Sequence, residues 1–92
     1  MPLGDDTVFE LARRFRFQWE EVQAAYVLLY PEGMVKLGQS AGEILKRVDG
    51  ATAVSEIIAD LERAFPGVDL RQDVTDFLEH AREKGWINAR QP

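Results

Sequence analysis

From Phe15 to Trp19 the chain alternates strictly, with Phe15, Phe17 and Trp19 on one face and Arg14, Arg16 and Gln18 on the other. A period of two marks a half-buried strand. Glu20-Glu21 interrupts it with charge, and Ala25 to Tyr30 follows as a second strand, an almost continuous run of aromatic and aliphatic residues. Pro31-Glu32-Gly33 is turn chemistry: Pro sets φ early, and Gly is expected to supply a positive φ late. Met34 to Leu37 then predicts a third strand, paired with the second as a hairpin. The pattern describes a small meander whose last strand is expected at an edge.

Beyond it the period changes to that of helices, each with start and stop signals. Ser40-Ala41-Gly42-Glu43 has the form of a capping box, and Ala41, Ile44, Leu45 and Val48 share a face before Asp49-Gly50. Thr52 is the expected cap of a second helix, whose stripe is Val54, Ile57, Ile58, Leu61 and Phe65 and whose stop is Pro66-Gly67. Asp69 is the expected cap of a third, with Leu70, Val74, Phe77, Leu78 and Ala81 as its stripe and Gly85 as its stop. Trp86 and Ile87 follow, expected either to fold back on the core or to form a short terminal strand. Residues 1–12 read as a flexible leader, with one turn of helix expected from Thr7 to Arg13. The fold expected is α+β and winged-helix-like: a three-stranded antiparallel sheet followed by a three-helix bundle, a single domain over 13–92.

Ninety-two residues suit one domain with one core. There is no cysteine, so disulfides, thiolate metal sites and a Cys nucleophile are excluded. The N-terminus lacks the basic and apolar regions of a signal peptide, and the apolar run Ala24 to Tyr30 is too short to span a bilayer. A cytoplasmic protein without a membrane partner is expected. Sixteen acidic against eleven basic residues leave a net charge of −5, which disfavours a phosphate-binding surface and so a nucleic-acid partner.

Chemistry has few places to reside. His80 is the single histidine, and Asp76 lies one turn before it, the only pair with acid–base spacing. No nucleophile stands beside them, and an i, i+4 surface contact accounts for the spacing. No metal-ligand spacing and no phosphate-cradling glycine loop is present, so neither a metal nor a cofactor is expected. The third helix is different. Its apolar arc is wider than a small sheet needs to cover, so that part of it, beside the third strand, forms an expected groove for a peptide.

Several segments, in this order and spacing, resemble the PqqD family of pyrroloquinoline quinone (PQQ) biosynthesis over residues 13–87. They are Arg14 and Arg16, then Val27-Leu28-Leu29-Tyr30-Pro31-Glu32-Gly33, Val35-Lys36-Leu37, Ser40-Ala41, Glu43-Ile44-Leu45 and Asp49-Gly50, followed by Glu56-Ile57, Asp73-Val74 and Phe77-Leu78. Gly38, Val48 and Gln18-Trp19 depart from the residues usual in the family. The resemblance implies a peptide chaperone, not an enzyme. Such a protein binds the precursor peptide PqqA by strand addition and presents it to the radical S-adenosylmethionine enzyme PqqE. Carried over by position, Met34, Val35, Lys36 and Leu37 would offer the strand edge, and Arg71, Val74, Phe77 and Leu78 the opposing wall. Lys36 or Arg71 would pair with acidic residues of the peptide.

The residues admit two other readings. A winged-helix DNA-binding regulator is suggested by the linked helices and the cluster Arg13, Arg14 and Arg16. A small enzyme would use Asp76 and His80. The oligomeric state is open between a monomer and a dimer formed by exchange of elements about the short hinges.

Overall fold

The computed structural model describes residues 4–90. In chain order these form β1 (Phe9–Leu11), β2 (Arg16–Glu20), β3 (Ala25–Tyr30), β4 (Gly33–Lys36), α1 (Gln39–Leu45), α2 (Val54–Ala64), α3 (Arg71–Glu83) and β5 (Ile87–Ala89). The α+β architecture is as the residue pattern predicts: an antiparallel sheet in the order β2-β3-β4 and three helices. A second, two-stranded sheet joins β1 to β5, with Phe9 opposite Ala89 and Leu11 opposite Ile87.

That small sheet corrects the expectation for the N-terminal segment. Residues 9–11 form a strand where a leader with a helical turn was expected, and Phe9 is a fully buried member of the core. Residues 1–3 of the expected leader lie outside the described residues. The rest is stitched down by its backbone. The carbonyls of Asp5 and Thr7 accept from the amides of Ser55 and Val54, and that of Phe9 accepts from Gly50. Gly50 has φ +77°, open to glycine at little cost, and it is buried against β1.

The same bonds explain why the expected caps are not used. The first-turn amides of α2 are satisfied by main-chain carbonyls of the N-terminal segment, while the Thr52 hydroxyl donates to Asp49 instead. α1 begins one residue before Ser40, with Gly38 as its cap residue and no side-chain cap, and Glu43 is engaged by Arg47. It also ends at Leu45, before Asp49-Gly50. For α3 the cap residue is Leu70; Asp69 accepts from the Arg71 amide and Glu62 from the Leu70 amide. Gln72, in the first turn of α3, donates to Asp76. The stop at Gly85 is formed as expected. With φ +79° it lets its own amide reach Arg82 O and the Trp86 amide reach Ala81 O, the paired bonds of a Schellman end.

Pro31-Glu32 makes the β3–β4 turn, and Gly33 enters β4 without the positive φ expected of it. One face of the sheet is aromatic. Phe17 stacks on Tyr26 at 4.8 Å, Trp19 meets the same ring edge-on at 5.1 Å, and Phe15 approaches Tyr30 at 5.4 Å. This face, with Leu28 and Leu37, closes over Ile44, Ile57, Leu61, Val74 and Leu78. α1 lies so close to β3 that Gly42 has no room for a side chain: a Cβ there would sit 2.8 Å from Tyr26 Cδ2 and 3.2 Å from Tyr26 Cβ.

Two substitutions test this packing. Phe9→Ala is predicted to cost about 3–5 kcal/mol, the usual range for emptying a buried phenylalanine site; a denaturation midpoint unchanged from the parent would mean that Phe9 lies outside the core. Gly42→Ala gains about 1 kcal/mol of helix propensity but overpacks against the root of Tyr26, which costs about 1–3 kcal/mol. A net loss of about 1 kcal/mol is expected from the clash outweighing the propensity, and a stabilised variant would show that α1 has slack to move.

Candidate functional site

β4 has a hydrogen-bonded neighbour on one side only, β3. The Leu37 amide donates to the Tyr26 carbonyl, which sets the phase of the ladder. In an antiparallel pair the direction of the backbone groups alternates. Gly33, Val35 and Leu37 therefore turn theirs towards β3, and Met34 and Lys36 turn theirs away. Among the described residues, no backbone group outside the sheet bonds to Met34 or Lys36. The strand presents two amides and two carbonyls along its open side, enough to template a further strand.

The sheet has a second edge at β2, where the same phase leaves Phe17 and Trp19 facing outward. Charged residues, Arg16 and Glu20, stand at both ends of that strand, an arrangement that discourages pairing. β4 carries a single charge, Lys36, and leads directly into a groove.

The groove has a volume of about 690 Å³ and starts at Gly38, the second residue beyond β4. The first turns of α1, the end of α2, the α2–α3 loop and the first half of α3 enclose it. Its floor is apolar, made by Ala41, Ile44, Leu61, Leu70, Val74 and Phe77. At its mouth stand Phe65 and Val68, which are 42% and 51% exposed. Large apolar side chains left open to water in one patch mark a contact surface more often than chance.

Of the residues carried over by position, Val74 and Phe77 line the groove, and Met34 and Lys36 form the open edge. Val35 is half-buried, and Leu37 and Leu78 are core residues. Arg71 lies elsewhere, over a shallow depression by the α2–α3 loop, where it donates to Asp5 at 2.8 Å. Beyond the residues carried over by position, the α1 residues Ala41 and Ile44 and the rim residues Phe65 and Val68 also line the groove. The apolar Phe65 and Val68 on either side of Pro66-Gly67 were the available signal, since turns seldom carry two large apolar side chains without a use.

Asp76 and His80 do not form an acid–base pair. The Asp76 carboxylate accepts from Gln72 at 2.7 Å, and the His80 ring meets Trp86 edge-on at 5.6 Å.

An ionic network holds the groove's α1 side. Arg47, just past that helix, donates to Asp60 of α2 and to Glu43 one turn back. The hydrogen bond from Arg47 keeps the Asp60 carboxyl below its ordinary pKa. The Ala51 amide, and after it the Thr52 hydroxyl, does the same for Asp49 in the α1–α2 connection. Both groups are acids with folded pKa values depressed below the unfolded ones, so in acid the unfolded chain takes up these protons first. Their stabilising share is complete above the unfolded carboxylate range, near pH 4, and disappears as pH falls through the folded values. Urea midpoints are therefore predicted to drop below about pH 4, with a shallower drop in Asp60→Asn; an identical slope in parent and variant would remove Asp60 from this linkage.

A winged-helix-like α+β domain whose β4 edge is open and leads to an apolar groove is the class of protein these features define. Solved structures share that architecture. The PqqD truncation of Methylobacterium extorquens PqqCD is a functional and stand-alone recognition element for ribosomally synthesized and post-translationally modified peptides. It aligns with a TM-score of 0.77 and 28% identity over 94% of each chain. The heterocyclase TruD aligns with a TM-score of 0.71 over 94% of this chain and 12% of its own; at 23% identity that likeness concerns the fold alone. The chain belongs to the PqqD family: the profile of coenzyme PQQ synthesis protein D matches residues 25–87. Curated relatives include a PqqA binding protein of Azotobacter vinelandii, 54% identical over 85% of this chain and 86% of its own. Another, from Methylococcus capsulatus, is 44% identical over 95% and 94%.

Proposed function

We propose that this protein binds the precursor peptide PqqA in PQQ biosynthesis, without itself catalysing a reaction, and delivers it to the radical S-adenosylmethionine enzyme PqqE. The observation that carries the proposal is the open side of β4, with the Met34 and Lys36 backbone groups unpaired where the chain enters an apolar groove. A peptide added as a strand there would complete the ladder and place alternate side chains towards the groove and away from it. The relatives' name, PqqA binding protein, supports this choice of peptide. The recognition-element role of the Methylobacterium extorquens protein supports the mode. Delivery to PqqE is the further step of the proposal, and it fits a protein that holds its peptide by an edge and leaves the peptide's other side accessible.

The DNA-binding alternative is not supported by the relatives, and the surface argues against it. Arg14 of the basic cluster is paired with Glu32 at 2.7 Å, and the net charge of −5 opposes phosphate. Among the described residues no helix is long and apolar enough to cross a membrane.

Titrating isotope-labelled protein with PqqA tests the binding step. Amide shifts are expected in residues 33–38 and 70–82, together with slowed hydrogen exchange at Met34 and Lys36. Shifts confined to the β2 edge or to the β1–β5 sheet would overturn strand addition at β4.

A further inference from the structure

The groove beside β4 carries a charge pattern of its own. Its charged lining residues are Glu43 and Asp73, both acidic, and neither lysine nor arginine reaches it. They are not equivalent. Glu43 is already engaged by Arg47 at 3.0 Å, whereas Asp73 is exposed in the first turn of α3 and has no hydrogen bond or ion pair among the described residues. Asp73 stands one turn before Phe77 and beside Val74, so a free carboxylate borders the apolar floor.

Resting on the peptide-binding reading above, we infer that the groove is a side-chain subsite that selects an apolar residue adjacent to a lysine or arginine of the bound peptide. The aliphatic or aromatic side chain enters between Ile44, Phe65, Val68 and Phe77, and the neighbouring cation pairs with Asp73. Two physical features select this occupant. The exposed Phe65 and Val68 gain by being covered with apolar surface. The unopposed negative charge at the rim favours a cation and rejects an acidic residue, because like charges brought together are penalised more than a rim pair gains. The subsite is separate from the backbone edge. Met34 to Leu37 do not line it, so the edge supplies a ladder that any sequence can use, while the groove discriminates between sequences.

The test measures the affinity of PqqA, by calorimetry and amide shifts, for the parent protein and for Asp73→Asn, Asp73→Lys, Asp73→Glu and Val68→Ser. A rim ion pair is worth about a two- to fivefold change in affinity. Asp73→Asn is expected to weaken binding by about that factor, with a smaller dependence on salt. Asp73→Lys should weaken it further, and Asp73→Glu should restore it. The inference requires a lysine or arginine in PqqA whose replacement by glutamine is no longer additive with Asp73→Asn. Val68→Ser should weaken binding without altering the salt dependence. Melting curves separate any loss of helix stability, because Asp73 also favours the α3 N-terminus and Asp73→Glu retains that effect. If Asp73→Lys binds PqqA as tightly as the parent while the shifts at Gly33–Lys36 persist, the subsite is overturned and strand addition stands. Absence of those shifts in the parent protein would instead overturn strand addition, and the inference with it.

Discussion

A strand with one neighbour must leave every second residue's amide and carbonyl directed away from the sheet, and that constraint governs the useful surface of this protein. In β4 the residues concerned are Met34 and Lys36. Exposed edges invite unwanted pairing, and at the β2 edge Arg16 and Glu20 counter it with charge. β4 is only four residues long and follows a two-residue turn, so its register against β3 is short and closely specified. The open side is therefore small and fixed in position, and it ends two residues before Gly38, the first residue lining the groove.

Holding that edge in place depends on how closely α1 lies on β3. The missing side chain at Gly42 lets the helix rest on Tyr26, and Tyr26 in turn stacks on Phe17 and meets Trp19. Arg47 ties the end of α1 to Asp60 on α2, so the α1 side of the groove is fixed to the sheet at one end and to a second helix at the other. The α3 side is fixed by Val74 and Leu78, which are fully buried, while Phe77 on the same helix remains half-exposed to the groove, its ring centroid 6.4 Å from that of Trp86. Rigid walls around an open cleft keep the entropy lost on binding small.

Much of this was legible in the residues, and the parts that were not share one cause. Alternation over Phe15–Trp19, the apolar run Ala25–Tyr30 and the Pro31 turn located the meander to within a residue, because these signals are local. The helix stripes named most of the core, including Val74 and Leu78, for the same reason. Phe9 escaped notice because a three-residue strand has no period to read, and its partner, Ala89, is eighty positions away. The caps assigned to Ser40 and Thr52 went astray for a related reason. A capping motif describes what a helix can do alone, whereas α2 satisfies its amides with carbonyls from Asp5 and Thr7, far back in the chain. For the groove, Val74 and Phe77 were readable from their helix. The direction of Arg71 is not readable from its own helix, because it depends on which neighbour supplies a carboxylate, and that neighbour is Asp5.

The β1–β5 ladder has a bearing on how such a fold is tethered. Phe9 lies opposite Ala89, so segments from near the two ends of the described chain are held together in one short ladder. The Methylobacterium extorquens relative, taken from the longer PqqCD chain, is one instance of a domain like this carried on another.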